Sequence, residues 1–241
     1  MWPFKSIDSL RKSDIFSGFT DWHSHILPGV DDGIKTLEDS LKVLNQYEEL
    51  GFKRVWLTPH IMEDYPNTPE ALREKFENLK KAWTGDVELS LASENMLDTL
   101  FEERLSKNEV LPIGEDGRHL LVETSYYTPP MEMDELLESI KKKGYFPVLA
   151  HPERYRYMDS DDYWRYRESG ILFQMNIVSL VGGYGETAHK KAEWLVANDM
   201  IDLLGSDLHR LEAFEQMIVK SPRKSSLLNS VVRIAKEKNK L

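Results

Sequence analysis

Short apolar runs of strand length recur along this chain, and five of them lead into metal-binding residue types. The five fragments are Asp-Trp-His23-Ser-His25, Thr-Pro-His60, Ala-Ser-Glu94, Ala-His151-Pro-Glu-Arg154 and Gly-Ser-Asp207-Leu-His209. Seven runs read as strands: Phe19–His23, Arg54–Thr58, Val87–Ser93, Leu120–Thr124, Phe146–Ala150, Ile171–Asn176 and Ile201–Gly205. Amphipathic helical patterns alternate with them, as in Thr36–Leu50, Pro69–Trp83, Met133–Lys143 and Thr187–Asn198. Strands alternating with such helices imply an α/β protein with a parallel sheet covered by helices. Seven units predict a closed or nearly closed barrel; an open doubly wound sheet has the same periodicity and stays open as an alternative. In a barrel, side chains at the C-terminal ends of the strands converge on one mouth, where such folds carry their chemistry. Five ligand-rich fragments at equivalent points of one repeat therefore predict a metal centre.

Each fragment has its own logic. His23 and His25 are two apart on a strand, so they face the same way, and a pair of imidazoles suits manganese, iron or zinc. In the loop Ile26-Leu-Pro-Gly-Val-Asp-Asp-Gly33, Asp31 or Asp32 can bend back toward the mouth or cap the following helix. Pro59 cannot extend a central ladder, which ends the second strand and puts His60 at its rim. Glu94 and Glu123 follow apolar runs, where a buried acid needs a cation or a metal and an exposed one needs neither. His151 ends the fifth strand, and Asp207-x-His209 repeats the same-face spacing of the first. Two of the seven histidines fall outside the set: His119 starts a strand, away from the mouth, and His189 opens a helix.

Composition narrows the chemistry. With 241 residues and 41% hydrophobic content the chain is the size of one barrel domain. Residues 1–17 read as an N-terminal extension packing on the barrel, and 18–241 as one domain. Trp2, Phe4, Ile7 and Leu10 suit that packing, or docking on a partner or membrane surface. No cysteine is present, which removes disulfides, thiolate sites and a cysteine-nucleophile phosphatase mechanism. The start lacks a signal-peptide run and no stretch is long enough to span a membrane, so a cytoplasmic location is expected. A formal charge of −10 disfavours a general nucleic-acid role. The tail Lys220–Leu241, with seven basic residues and one acidic, runs against that balance. It reads as an amphipathic helix burying Leu227, Leu228, Val231, Val232 and Ile234, or as a surface for an acidic partner.

His23-Ser-His25, His60, Glu94, His151 and Ser-Asp207-x-His209 resemble the PHP (polymerase and histidinol phosphatase) superfamily over nearly the whole chain. Asp-x-His-Ser-His-Ile-x-Pro-Gly-Val-Asp-Asp-Gly, Ala-His-x-Glu-Arg-Tyr and Ser-Asp-x-His look like the manganese-dependent protein-tyrosine phosphatases of bacterial capsule and exopolysaccharide clusters. Asp32 and Glu123 stand where many other PHP proteins are expected to carry histidines, which favours this subgroup. The resemblance implies a distorted seven-stranded (β/α) barrel with three divalent metal ions, manganese first and iron or zinc as alternatives. Matched onto this chain, His23, His25, Glu94 and Asp207 hold one metal. Glu94 bridges to a second, completed by Glu123 and His151, and Asp32, His60 and His209 hold the third.

Such a cluster makes a hydroxide from water and clamps phosphoryl oxygens, so hydrolysis would proceed by metal-activated hydroxide without a phosphoenzyme. Arg154, three residues past His151, is the candidate phosphate-binding catalytic residue, or alternatively a salt-bridge partner of Glu153 or a nearby acid. Arg210 is a second candidate or a solvated side chain. Tyr126 and Tyr127 in Ser125–Pro130, and Tyr184 in Val181–Gly185, can wall a phosphotyrosyl ring or serve only as turn residues. The expected substrate is a phosphotyrosine protein, the tyrosine-rich tail of a polysaccharide-synthesis kinase. A phosphatase for a small monoester such as histidinol phosphate, and a non-catalytic phosphoprotein-binding module, are the competing functions.

Overall fold

The computed structural model describes residues 7–241. Its elements run β1 (Phe19–Ser24), α1 (Leu37–Leu50), β2 (Phe52–Leu57), β3 (His60–Ile61), α2 (Pro69–Ala82), β4 (Glu88–Leu91), β5 (Glu94–Met96) and α3 (Phe101–Lys107). They continue β6 (His119–Glu123), α4 (Met133–Lys142), β7 (Phe146–Ala150), α5 (Ser160–Glu168), β8 (Leu172–Asn176), α6 (Gly185–Ala197), β9 (Leu203–Gly205), α7 (Leu211–Ile218) and α8 (Ser225–Arg233). α1 and α2 begin where their caps dictate. Thr36 accepts the N–H of Asp39 ahead of α1, and Thr68 accepts that of Ala71 ahead of α2, which starts on Pro69. α1 stops at Gly51, whose φ of 92° suits glycine. α3, α5 and α7 were not among the helices read from the sequence. They are seven to nine residues long, too short for periodicity to stand out.

All strand pairings between the named strands are parallel, in a sheet of order β1-β2-β4 and one of order β3-β5-β6-β7-β8-β9. Both orders follow the chain. A doubly wound sheet reverses its order at a switch point; none exists among the described residues, and that alternative is excluded. Two strand expectations need correction. The second strand ends before His60 as expected, at Leu57, but His60 opens a new two-residue strand in the other sheet rather than trailing the first. Val87–Ser93 likewise breaks at Ala92-Ser93, and Glu94 opens β5 rather than trailing a strand. Proline has no N–H to give to the ladder, and the chain jogs there from one sheet to the other. Bonds from the Ala92 N–H to Leu57 O (2.9 Å) and from the Glu94 N–H to Pro59 O (3.1 Å) stitch across the jog. On the far side, the Asp207 N–H reaches His23 O (2.8 Å) and the His25 N–H reaches Leu208 O (3.1 Å), tying β1 to the segment after β9.

Beneath the ligand residues lies a small apolar cluster of Trp22, Trp56, Ala92, Ile113, Leu121, Val148, Ala150 and Leu203. Leu121 stands two residues before Glu123 on the same face of β6, so this cluster floors the metal-ligand layer. The rings of Trp22 and Trp56 stack with centroids 5.7 Å apart, and the Trp22 indole donates to Asn239 O at 3.1 Å. Replacing Trp22 by alanine is expected to cost about 3–5 kcal/mol, read as a lowered denaturant midpoint; an unchanged midpoint would mean the floor is not structural.

The chain ends bear on the same wall. Leu10, Ile15 and Phe16 are buried, and Phe16 stacks on Phe52 at 5.1 Å; Trp2 and Phe4 lie outside the described residues. In the C-terminal tail Leu227, Leu228, Val231 and Ile234 are buried, whereas Val232 is only partly so. Several of the tail's cations pair with acids of the body: Arg223 with Glu186, Lys236 with Asp14, and Lys238 with Asp199. Asn239 then donates to Thr20 O (2.7 Å) and accepts from the Leu204 N–H (2.8 Å), bridging β1 and β9, and Leu241 packs on the floor cluster.

Candidate metal centre

All nine side chains expected as ligands meet at the end of the strands, in four overlapping groups. These are His25–Asp32–His60–His209, His23–His25–Asp207, His23–Glu94–His151 and His60–Glu94–Glu123. The strands supply the convergence: β1 carries His23 and ends one residue before His25, β3 and β5 begin on His60 and Glu94, and β6 ends on Glu123. His151 and Asp207 follow β7 and β9 with φ of 34° and 51°. Left-handed backbone at non-glycine residues is uncommon and gathers where function requires it. His119 pairs with Asp116 at the opposite end of β6, and His189 faces Glu193 within α6; neither enters a group.

His23 Nε2 lies 3.1 Å from His25 Nε2, 3.2 Å from Glu94 Oε2 and 3.7 Å from Asp207 Oδ1. His25 Nε2 stands 3.3 Å from Glu94 and 3.4 Å from Asp207. The other oxygen of Glu94 meets His151 Nε2 at 2.9 Å, so this carboxylate joins two parts of the site. His60 Nδ1 faces Glu94 Oε2 (3.0 Å) and Glu123 Oε1 (2.9 Å), while its Nε2 faces Asp32 (3.4 Å), which also meets His209 Nε2 (3.3 Å). His60 thus looks toward two groups at once, a division the sequence did not foresee.

The donor set fits a metal on the evidence of its own orphaned atoms. His60 Nδ1, Glu94 Oε2 and Glu123 Oε1 are buried, crowded together and without a hydrogen-bond partner, an arrangement that costs free energy unless a cation satisfies it. Electrostatics agrees. Burial alone would raise Glu94 and Asp207, yet His23 and His60 around the first, and His23 and Arg154 around the second, hold both well below the usual carboxylate range. Burial opposes charge on His60 too, but Glu94, Asp32 and Glu123 raise it well above the imidazole range. His151 goes the other way, lowered by burial and by Arg154, and so presents a neutral imidazole.

The open choice between Asp31 and Asp32 is resolved by geometry. Asp32 faces the mouth and is half-exposed. Asp31 is buried behind the site, with Oδ2 2.8 Å from His25 Nδ1 and accepting the His60 N–H at 3.1 Å. Gly33 lets the loop close on itself, since a Cβ there would sit 2.2 Å from His25 O. Neither aspartate caps α1. Other supporting residues escaped the sequence reading. Asp21, which burial pushes up to about 6, accepts the N–H groups of His23 and Ser206 and lies 2.9 Å from the Tyr47 hydroxyl. Gln174 and Asn176 sit behind His23 and Asp207. Polar residues at period two inside the apolar run Leu172-Phe-Gln-Met-Asn176 were the available signal.

Arg154 makes the ion pair that competed with its phosphate role, but with a predicted ligand rather than with Glu153: Nη1 reaches Asp207 Oδ2 at 2.6 Å. Its guanidinium is also sandwiched between Tyr126 and Tyr184, 4.2 Å from each ring. These three, with Asp32, His60, Asp207, His209 and Arg210, line a cleft of about 490 Å3. Tyr127 does not line this cleft; 65% exposed under Arg156, it lines an adjoining pocket with Tyr126, Arg154 and Tyr184. Arg210 reaches the rim and is exposed.

Fold and site together define a parallel α/β protein with a cluster of histidines and carboxylates able to hold metal at its strand ends. Residues 19–225 match the family model for capsular polysaccharide synthesis, CpsB/CapC, and the chain belongs to that family. It is 30% identical over 198 residues to the tyrosine-protein phosphatase YwqE of Bacillus subtilis, spanning 80% of this chain and 78% of the relative. It is 31% identical over 207 residues to the tyrosine-protein phosphatase CpsB of Streptococcus pneumoniae, spanning 80% and 84%. In fold it matches a chain from the crystal structures of those two proteins, described as unique metal-dependent tyrosine phosphatases, with a TM-score of 0.74 at 24% identity over 92% of this chain and 96% of that one.

Proposed function

We infer that this chain is a metal-dependent protein-tyrosine phosphatase. The observation that carries the reading is the meeting of nine ligand-type side chains beside a guanidinium clamped between two tyrosines. Three divalent ions, manganese first and iron or zinc as alternatives, are the proposed complement. His23, His25, Glu94 and Asp207 would hold one, Glu94, Glu123 and His151 a second, and Asp32, His60 and His209 the third. The contacts of His60 with both Glu94 and Glu123 support a place for it between the second and third. Bound ions of this kind lower the pKa of water and clamp phosphoryl oxygens.

The chain's own residues supply the rest. Arg154 keeps one guanidinium nitrogen on Asp207 and offers its remaining N–H donors at the cleft, where they bind phosphate oxygens. Tyr126 and Tyr184 hold the guanidinium and wall the phosphotyrosyl ring, with Arg210 and Tyr127 on the rim for the polypeptide around it. Phenolate, with a pKa of about 10, leaves readily, so no strong general acid is required. If β2/β3 and β4/β5 are counted as continuous ribbons, the nine strands become the seven of a distorted PHP-type barrel, with residues 1–17 as its extension. The proposed substrate is the tyrosine-rich tail of a polysaccharide-synthesis kinase. A cytoplasmic site of action is part of the proposal, and no helix among the described residues is long and apolar enough to cross a membrane.

The test pairs metal analysis with hydrolysis of phosphotyrosine peptides and of small alkyl monoesters. Turnover is expected on the peptides, lost with chelator, restored by manganese and indifferent to thiol alkylation. Full turnover in rigorously metal-free protein, or a preference for the alkyl monoesters, would overturn the reading.

A further inference from the structure

Two buried amides on β8 form a continuous chain between two of the proposed ligands of one metal. Gln174 and Asn176 are two residues apart and therefore on one face of the strand, and both are fully buried. His23 Nδ1 lies 2.7 Å from Gln174 Oε1, Gln174 Nε2 donates to Asn176 Oδ1 at 3.0 Å, and Asn176 Nδ2 donates to Asp207 Oδ2 at 2.7 Å. The neighbouring strand makes room for this chain. A Cβ on Gly205 would sit 2.6 Å from the Cβ of His23 and 2.7 Å from Gln174 Nε2, so only glycine fits there without displacing both.

The polarity of the chain follows from one end. Asp207 Oδ2 is an acceptor only: it takes donors from Arg154 (2.6 Å), Tyr184 (2.9 Å) and Asn176 (2.7 Å). Asn176 must therefore present its NH2 to Asp207 and its oxygen to Gln174. Gln174 must then present its NH2 to Asn176 and its oxygen to His23. Facing an acceptor, His23 Nδ1 carries the proton, and Nε2 turns its lone pair into the cluster. At the other end, three donors saturate Asp207 Oδ2 and leave only Oδ1 to face His23 and His25.

We propose that Gln174 and Asn176 are positioning residues, an amide relay that sets the tautomer of His23 and makes Asp207 a one-oxygen ligand of the same metal. His25 is oriented differently, by the carboxylate of Asp31. The relay closes a loop from metal through His23, Gln174, Asn176 and Asp207 back to metal, so that the two ligands are set together rather than separately. This rests on the metal-centre part of the function proposed above and not on which phosphate ester is cleaved.

Zinc affinity of the full chain, by competition with a chromophoric chelator, and the imidazole tautomers of the metal-free protein, by 15N NMR in alkaline buffer, test it. Asn176→Leu does not touch His23, yet it frees Gln174 to turn over. The expected result is a mixed His23 tautomer and zinc affinity at the first site weaker by roughly 10- to 100-fold, the usual effect of removing such a support. Gln174→Glu, close to isosteric, covers the case in which Asn176→Leu fails to fold. Its carboxylate still accepts from His23 but turns the Asn176 amide, so that the Asn176 oxygen confronts Asp207. Affinity should fall although His23 keeps its Nδ1 proton. A simple contact between Gln174 and His23 makes the opposite forecast, tighter zinc from a more basic imidazole. Tighter zinc in Gln174→Glu, or an unchanged His23 tautomer in folded Asn176→Leu, overturns the relay. Failure of the wild type to bind zinc at all would instead overturn the metal centre, and loss of phosphopeptide turnover with zinc binding intact would leave the relay standing.

Discussion

Alanine in place of His23, Glu94, His151 or Asp207 is expected to abolish phosphotyrosine hydrolysis, while alanine at His119 or His189 leaves it largely intact. The first four lie in a single web of contacts: Glu94 alone touches His23, His25, His60 and His151. Removing one changes the charge and the geometry seen by every neighbour, a larger disturbance than the roughly 10- to 100-fold cost of disturbing a supporting residue. Glu94→Ala should be the most severe, because it deletes the carboxylate that joins the groups and leaves buried imidazoles facing one another. His119 and His189 contact only Asp116 and Glu193 among acidic groups, so their loss touches no part of the cluster. Metal content and turnover measured on the same preparations provide the check. If the two sets of variants behaved alike, the centre would be misplaced.

Arg154→Ala should lower turnover by about 100- to 1,000-fold, the usual worth of a preorganised donor of roughly 2.7–4 kcal/mol, with metal content retained. The structure sharpens this expectation, because Arg154 bonds to Asp207 as well as facing the cleft. Asn176 and Tyr184 still donate to the same oxygen once the guanidinium is gone, so Asp207 should keep its orientation. Arg154→Lys should recover only part of the loss, since an ammonium has neither the flat surface that lies between Tyr126 and Tyr184 nor two parallel donors for phosphate. Near-normal phosphopeptide kinetics in Arg154→Ala would reject the phosphate role. Lost metal or a lowered unfolding midpoint would assign this residue to the support of Asp207 instead.

Much of the architecture was legible from residue pattern, and the departures have local causes. The helices with side-chain caps and several turns of amphipathic pattern, α1 and α2, were placed to within a residue, whereas the short α3, α5 and α7 were not seen. Pro59 marked the end of the second strand in the sequence, but the new strand that begins at His60 and the break at Ala92-Ser93 were not seen, since neither carries a local signal. Only the partner strand reveals the jog, and it moves His60 and Glu94 from the ends of strands to the beginnings of new ones.

The sequence by itself determined which side chains can form the centre, because a ligand's position in a repeating strand–helix unit also determines its position at the mouth. His23, His25, His60, Glu94, Glu123, His151, Asp207 and His209 were read from the chain in this way, whereas Asp32 was left open against Asp31 until the family resemblance named it. Tertiary structure alone decided how those side chains are used. That Asp32 faces the mouth while Asp31 holds His25 depends on a loop folding back against β3. That Arg154 lies on Asp207 between two tyrosines depends on four segments more than twenty residues apart meeting at one cleft. The polarity of Gln174 and Asn176 depends on a carboxylate beyond the next strand. Spacing along a strand governs which face a residue takes, but hydrogen-bond direction is set by whichever group approaches through space, and that is known only once the sheet has curled.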